Sequence, residues 1–187
     1  MSKVNIPILE TERLKLEPIN IEFCSEEYVN WLNDIEVYQY LDNGGDYTYE
    51  ALQEYLTKYT ENPVPFWAII VKETNTHIGN IKIDPINQRN QIGEYGILMG
   101  DKKYWGKGYA KEASIAVINH CFKKLGLRKI TLGVIKDNIA AVKLYESLGF
   151  EIEGIYRLHG IYAGKYCDAL RMAIFDIEKA TNEVKLK

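Results

Sequence analysis

The stretch Lys102–Ala113, KKYWGKGYAKEA, brings bare backbone, positive charge and a helix start together. Gly106 and Gly108 sit one residue apart, bracketed by Lys102, Lys103, Lys107 and Lys111. At a helix start the first amide N–H groups have no intrahelical partner, and the helix dipole is positive there. Glycines let a ligand approach such backbone closely. The combination is the chemistry of a phosphate site, with lysines adding charge at the rim. An ordinary turn that uses glycine for its geometry accounts for the same residues. The stretch lacks the GK[ST] ending of a Walker loop and the GxGxxG spacing of a dinucleotide fingerprint.

A second constellation is DNIAAVKLYESLGF, Asp137–Phe150. Asn138 opens a helix, and Tyr145 lies two turns further along the same face. The plain reading makes Asn138 a cap, Tyr145 a core residue and Gly149 the helix stop.

These residues need a frame. RLKLEPI (13–19) alternates as a first strand. Ser25 caps a helix through Asn33, with Phe23, Tyr28, Trp31 and Leu32 on its apolar side. Thr48 caps a second helix with a stripe of Leu52, Tyr55, Leu56 and Tyr59. FWAIIVK, HIGNIKI and IGEYGILM then read as three strands in series, the first turn being ETNT. After the glycine loop a helix runs from about Tyr109 to Leu125, with Ala113, Val117 and Cys121 buried and Gly126 as its stop. KITLGVI is a strand, and EIEGIY and ALRMAIF are the last two, flanking a loop over 157–168. A strand–loop–helix unit stands at the centre of a mixed pattern, an α+β (mixed α/β) domain. No linker or repeat divides the chain, so 1–187 is expected to be a single domain.

Together the two constellations resemble the GNAT superfamily of acetyl-CoA-dependent N-acetyltransferases. Trp105-Gly106-Lys107-Gly108-Tyr109-Ala110 resembles its [QR]-x-x-G-x-[GA] pyrophosphate motif, and 138–150 resembles its N-x-x-[SA]-x-x-L-Y-E-x-x-G-F segment. Thr11–Leu16 (TERLKL) and Gly164–Asp168 (GKYCD) are similar to the ribosomal-protein-alanine acetyltransferase-like branch. Trp105 departs from the usual Gln or Arg at a position that works through its backbone.

The resemblance implies a GNAT-like fold: a central, mostly antiparallel twisted sheet of about seven strands, splayed in the middle and flanked by about four helices. Acetyl-CoA, the cosubstrate, would lie where EYGILM and KITLGVI part. Trp105, Gly106, Lys107, Gly108, Tyr109 and Ala110 would bind its pyrophosphate, with Lys143 as a further contact. Leu98 and Met99 would pair with its pantetheine arm, which Asn138 would hold. An alkyl ammonium has a pKa of about 10 and must lose a proton before attacking the thioester. Glu94 would assist, directly or through water; an exposed strand carboxylate is the alternative. A backbone N–H near Met99 would stabilise the oxyanion. Tyr145 would protonate the leaving thiolate or hold a hydrogen bond to its sulfur. No metal and no covalent nucleophile are needed.

Composition bears on the acceptor. Residues 1–62 carry thirteen acids and four bases, net −9, and the remainder carries thirteen acids and nineteen bases, net +6. A basic side of a cleft would suit CoA phosphates, and an acidic side a cationic acceptor. YVNWLNDIEVYQYL and HIGNIKIDPIN resemble members acting on nucleotide-linked amino sugars, with Trp31, Tyr38 and Tyr40 able to stack and Asn80 and Asn87 able to bond hydroxyls. His159, in the late loop, is a further acceptor-site candidate. The first expectation for the acceptor is therefore a nucleotide amino sugar, and the alternatives are a ribosomal-protein N-terminus or a polyamine. A non-catalytic CoA-binding module is the alternative of another class. The net charge of −3 argues against nucleic acid. No apolar run suggests a signal peptide or membrane span, and Cys24, Cys121 and Cys167 show no paired spacing. A cytoplasmic monomer or homodimer is expected.

Overall fold

The computed structural model describes residues 6–41, 45–162 and 164–180. Its strands are β1 (Leu9–Glu10), β2 (Leu14–Pro18), β3 (Phe66–Val71), β4 (Thr76–Asn87), β5 (Ile92–Met99), β6 (Lys129–Ile135), β7 (Glu151–Tyr162) and β8 (Lys165–Phe175). The helices are α1 (Glu26–Asn33), α2 (Ile35–Tyr38), α3 (Tyr49–Glu61), α4 (Tyr109–Lys123), α5 (Ile139–Ser147) and α6 (Ile177–Ala180). The strands form one sheet in the order β1-β2-β3-β4-β5-β6-β8-β7. The mixed architecture is as expected, with eight strands for about seven and six helices for about four. The additions are short: β1 has two residues, and α2 and α6 have four each.

Capping decides several boundaries. Ser25, Thr48 and Asn138 accept from the backbone N–H of Tyr28, Ala51 and Ala141, so each closes a helix start as its residue type predicts. Gly126 and Gly149 adopt φ of 70° and 92°, the left-handed geometry that ends α4 and α5.

Every neighbouring pair in the sheet is antiparallel except β5–β6. That parallel ladder joins only Ile92 to Lys129, Gly93 to Ile130 and Glu94 to Thr131. β5 nevertheless continues to Met99 against β4, and β6 continues to Ile135 against β8. The sheet therefore opens into a wedge beyond Glu94 and Thr131. Tyr95–Met99 and Leu132–Ile135 form its two edges.

The two faces are buried differently. Under α4 and α5, one cluster spans both halves of the sheet, from Leu14 and Trp67 through Tyr95, Val117 and Leu132 to Tyr145 and Met172. Under α1 and α3, a second cluster built on Tyr28, Leu52, Leu56, Phe66 and Ile70 covers only the β2–β5 half.

The sequence-based reading of the late region needs correction. The segment 157–168, expected as a loop, is mostly hairpin: β7 runs to Tyr162 and β8 begins at Lys165. Ala163 lies outside the described residues. The segment 84–92, expected as a loop beside the acceptor site, is strand as far as Asn87, because β4 extends past a register shift between Ile83 and Ile86. Alternation misses both because each is exposed on two faces or carries a bulge.

Candidate active site

β5 delivers the chain to the glycine loop, and its alternation sorts the site residues. Tyr95 faces α4 and α5, its hydroxyl 2.7 Å from Ser114 Oγ; that hydroxyl in turn donates to the Ala110 carbonyl at 2.6 Å. This buried chain satisfies its polar groups and ties the strand to the first turn of α4. Glu94 and Leu98 face the other way, Leu98 against the α1–α3 cluster. The Gly100 N–H bonds Ile78 O on β4, so the pleat turns the Met99 backbone toward the wedge.

The loop itself is preformed. After a 3₁₀ turn over Lys102–Tyr104, Gly106 and Gly108 take φ of 71° and 82°. A side chain at Gly106 would meet nothing within 4 Å, so the cradle is open there. Gly108 is the α4 N-cap and supplies no capping side chain, leaving the first amides of the helix for a ligand. The Trp105 indole N–H donates to the Met99 carbonyl at 2.8 Å, folding the loop back onto the end of β5. Tyr109 and Ala110 form the first turn of α4. Lys102, read in the sequence as rim charge, is engaged elsewhere: its ammonium lies 2.6 Å from Asp34 and 2.5 Å from Glu36. Lys103, Lys107 and Lys111 remain exposed.

Asn138 caps α5, Lys143 lies on it, and its Tyr145 packs against Tyr95 on the helix side of β5. The Asn138 carbonyl oxygen accepts from Ala141 N–H at 3.2 Å, so one end of its amide is spent on the cap. Lys143 is exposed. Tyr145 is buried, its ring packed at centroid distances of 5.7 Å from Tyr95 and 5.8 Å from Phe150. Burial pushes its phenol up to about 12. It stays protonated, and can donate a hydrogen bond, throughout the working pH range.

Glu94 stands at the vertex on the opposite face. Arg171 grips it at 2.8 and 2.9 Å, and the Thr131 hydroxyl donates to it at 2.6 Å. Burial pushes the carboxyl up, but these hydrogen bonds and the guanidinium charge outweigh it and hold the pKa below the ordinary range. The structure thus sets Glu94 and Tyr145 on opposite faces of β5.

The aromatic and amide residues read as acceptor contacts are largely structural. The Trp31 indole lies against Gly100, where a Cβ would stand 2.0 Å from it. With Phe23 and Tyr28 it encloses His77, whose Nε2 lies 3.0 Å from both Gly79 O and Asn80 Oδ1. Both partners are acceptors, so Nε2 carries the proton. Asn80 Nδ2 is buried without a partner among the described residues. Asn87 accepts from Asn90 N–H within the β4–β5 turn. Tyr38 packs beneath Gly45, and Tyr40 meets Tyr162 of the β7–β8 hairpin at 6.0 Å. His159, on the hairpin, packs against Tyr156. Cys121 is buried in the core, as its helical position predicts.

An open wedge between parallel strands is followed by a glycine loop at a helix start. The acetyltransferase (GNAT) domain family matches residues 13–151, and the chain belongs to it, as an acetyl-CoA-dependent N-acetyltransferase. It is 31% identical over 176 residues to the uncharacterised N-acetyltransferase p20 of Bacillus licheniformis, covering 92% of this chain and 98% of that protein. The spermidine N(1)-acetyltransferase of Escherichia coli K12 is 34% identical over 97 residues, 52% of each chain. The structure of spermidine N-acetyltransferase from Vibrio cholerae, in complex with CoA and spermine, superposes with a TM-score of 0.79 at 25% identity, covering 91% of this chain and 99% of that one.

Sequence reasoning missed the Arg171 fork on Glu94 and the ties of Arg13 to Glu112 and Lys107. Arg13 had a signal, its place in TERLKL. Arg171 had none, because it and Glu94 are 77 positions apart.

Proposed function

We propose that the chain transfers the acetyl group of acetyl-CoA directly to a primary amine of a small molecule, and that a cationic amine of the polyamine type is its acceptor. The observation that carries the transfer is the wedge, with Glu94 and Tyr145 on opposite faces of the strand that lines it. Acetyl-CoA supplies an activated thioester. The cradle fits its pyrophosphate, because Gly106 leaves open space and the α4 amides lack a cap. The backbone of Ile97 and Met99 offers the pantetheine arm an edge with no strand opposite, and Asn138, the α5 cap, and Lys143 on α5 would be its further contacts. A Met99 N–H aimed at the wedge suits the oxyanion.

Proton handling then divides by face. Glu94 is held anionic, but the Arg171 fork neutralises its charge, so it acts on the amine at short range, by accepting a hydrogen bond from an ordered water. Its lowered pKa makes it a weak base that takes the proton through water. Tyr145, protonated and buried on the helix side, hydrogen-bonds the departing sulfur.

The net −9 of residues 1–62 supports the cationic acceptor, as does similarity to spermidine acetyltransferases. The nucleotide amino-sugar reading keeps its resemblance. It loses the support of Trp31, Asn80 and Asn87, which are engaged in packing, a buried histidine contact and a turn. The three free cysteines support a reducing cytoplasm.

Thiol release tests the proposal, with spermidine, a nucleotide amino sugar and a ribosomal-protein N-terminal peptide as acceptors. Spermidine should turn over with the highest kcat/KM. Preference for the sugar or the peptide would replace this acceptor. Tight CoA binding with no thiol release from any amine would make the chain a binding module.

A further inference from the structure

We propose that Arg13 is a positioning residue for the donor: by holding the Lys107 carbonyl it sets the direction in which the Gly108 N–H points. The inference rests on reading the glycine loop as the pyrophosphate site.

Arg13 immediately precedes β2, far from the loop in sequence, yet all three of its guanidinium nitrogens have partners there. Nε donates to Glu112 Oε2 at 2.7 Å, and Nη2 lies 2.7 Å from the same oxygen. Nη1 donates to Lys107 O at 3.0 Å. The guanidinium lies over the Tyr109 ring, with Cζ 4.3 Å from its centroid. Glu112 is anchored in turn. Its Oε1 accepts from the Thr11 hydroxyl at 2.5 Å and from the Arg13 backbone N–H at 2.8 Å. The carboxylate belongs to the first turn of α4, where the helix dipole favours it. Thr11, Arg13, Glu112 and Lys107 thus form one connected brace.

A trans peptide unit is planar, so its C=O and N–H point opposite ways. The Lys107 carbonyl and the Gly108 N–H belong to one such unit. Pinning the carbonyl to Arg13 aims the N–H away from the brace. Glycine at φ 82° tolerates rotation of this unit more readily than other residues, and Gly108 brings no capping side chain to resist it. A rotated unit would present a carbonyl oxygen, the negative end of its dipole, to a phosphate. The contribution of Arg13 is therefore preorganisation, which raises affinity by removing an ordering cost. Direct charge contributes little, because Glu112 neutralises the guanidinium.

The test compares two donors: acetyl-CoA, and S-acetylpantetheine, which lacks the pyrophosphate and nucleotide. In Arg13→Ala the KM for acetyl-CoA should rise about tenfold, the scale of one charge-assisted hydrogen bond, with kcat nearly unchanged. The KM for S-acetylpantetheine should stay at the wild-type value. Arg13→Lys should recover only part of the loss, because an ammonium cannot span Glu112 and the Lys107 carbonyl as a fork does. Glu112→Gln should fall between wild type and Arg13→Ala, and these two variants carry the comparison if Arg13→Ala does not fold. Equal losses with both donors would mean general disruption and overturn the proposal, as would an unchanged KM for acetyl-CoA. If the wild-type protein itself uses both donors alike, the loop is no pyrophosphate site, and that earlier reading fails together with this one.

Discussion

Glu94 and Arg171 meet as a fork at the vertex of the wedge, Oε1 to Nη1 at 2.8 Å and Oε2 to Nη2 at 2.9 Å. The two strands that carry them are separated by β6, and Gly133 lets the arginine cross it. A Cβ at Gly133 would stand 3.1 Å from Nη1, tighter than ordinary contact. The fork settles how Glu94 behaves toward protons.

Glu94→Gln should lower kcat/KM by about tenfold, the effect of about 1.4 kcal/mol, with the same factor from neutral to mildly alkaline pH. The wild-type rate should rise with pH through ionisation of the amine alone, because a carboxyl with a lowered pKa is already ionised. A neutral-range limb that disappears in the mutant would restore Glu94 as a base of raised pKa. Stability follows the same sign. A depressed carboxyl contributes stability above its ordinary range, about 4.3, and loses it as pH falls through its folded value. The stability gap between wild type and Glu94→Gln, measured by urea unfolding, should narrow as pH is taken below 4.

Tyr145→Phe should retain CoA affinity and stability, because the ring contacts with Tyr95 and Phe150 survive. Loss of a hydrogen bond to the leaving sulfur should lower kcat by about 10²-fold, the low end for general acid help. Single-turnover kinetics isolates the chemical step. An unchanged rate there removes Tyr145 from the mechanism.

Gly108→Ala places a side chain at φ 82°, which costs about 1–2 kcal/mol of stability. Gly126→Ala imposes comparable strain at φ 70°, at the far end of α4. Thermal melts should therefore fall in both. Calorimetric titration should show weakened CoA binding only in Gly108→Ala. Equal binding by the two would sink the phosphate role of the loop.

Gly100→Ala should destabilise the fold by about 1–3 kcal/mol, the usual cost of overpacking, because the new methyl would overlap Trp31. A second change, Trp31→Leu, should recover part of that loss. The double-mutant cycle then gives a coupling energy. Simple additivity would show that α1 does not rest on the end of β5.

Where a signal is local, the sequence was legible. The alternation of IGEYGILM and KITLGVI gave β5 and β6 to the residue, and Ser25 and Thr48 named their helices as caps. EIEGIY and ALRMAIF marked the base of β7 and β8, but the rest of the hairpin, within 157–168, was not legible. Its outer strand is exposed on both faces, so Ile155, Leu158 and Ile161 follow no inside–outside rhythm. The four-residue α2 is too short for a helical period. In the candidate site, the left-handed turn before α4 could be read from Gly106 and Gly108. The braces could not, since Glu94–Arg171 and Arg13–Glu112 join partners 77 and 99 positions apart.

Three residue pairs stitch β5 to β6, and beyond them the sheet has a seam. A donor arm lying along that seam would supply the missing rungs and act as a strut between two plates. A ligand that binds only the folded chain adds about 2.7 kcal/mol of stability at a hundredfold excess over its Kd. With the donor seated there, the folded chain would resist proteases better than the empty one.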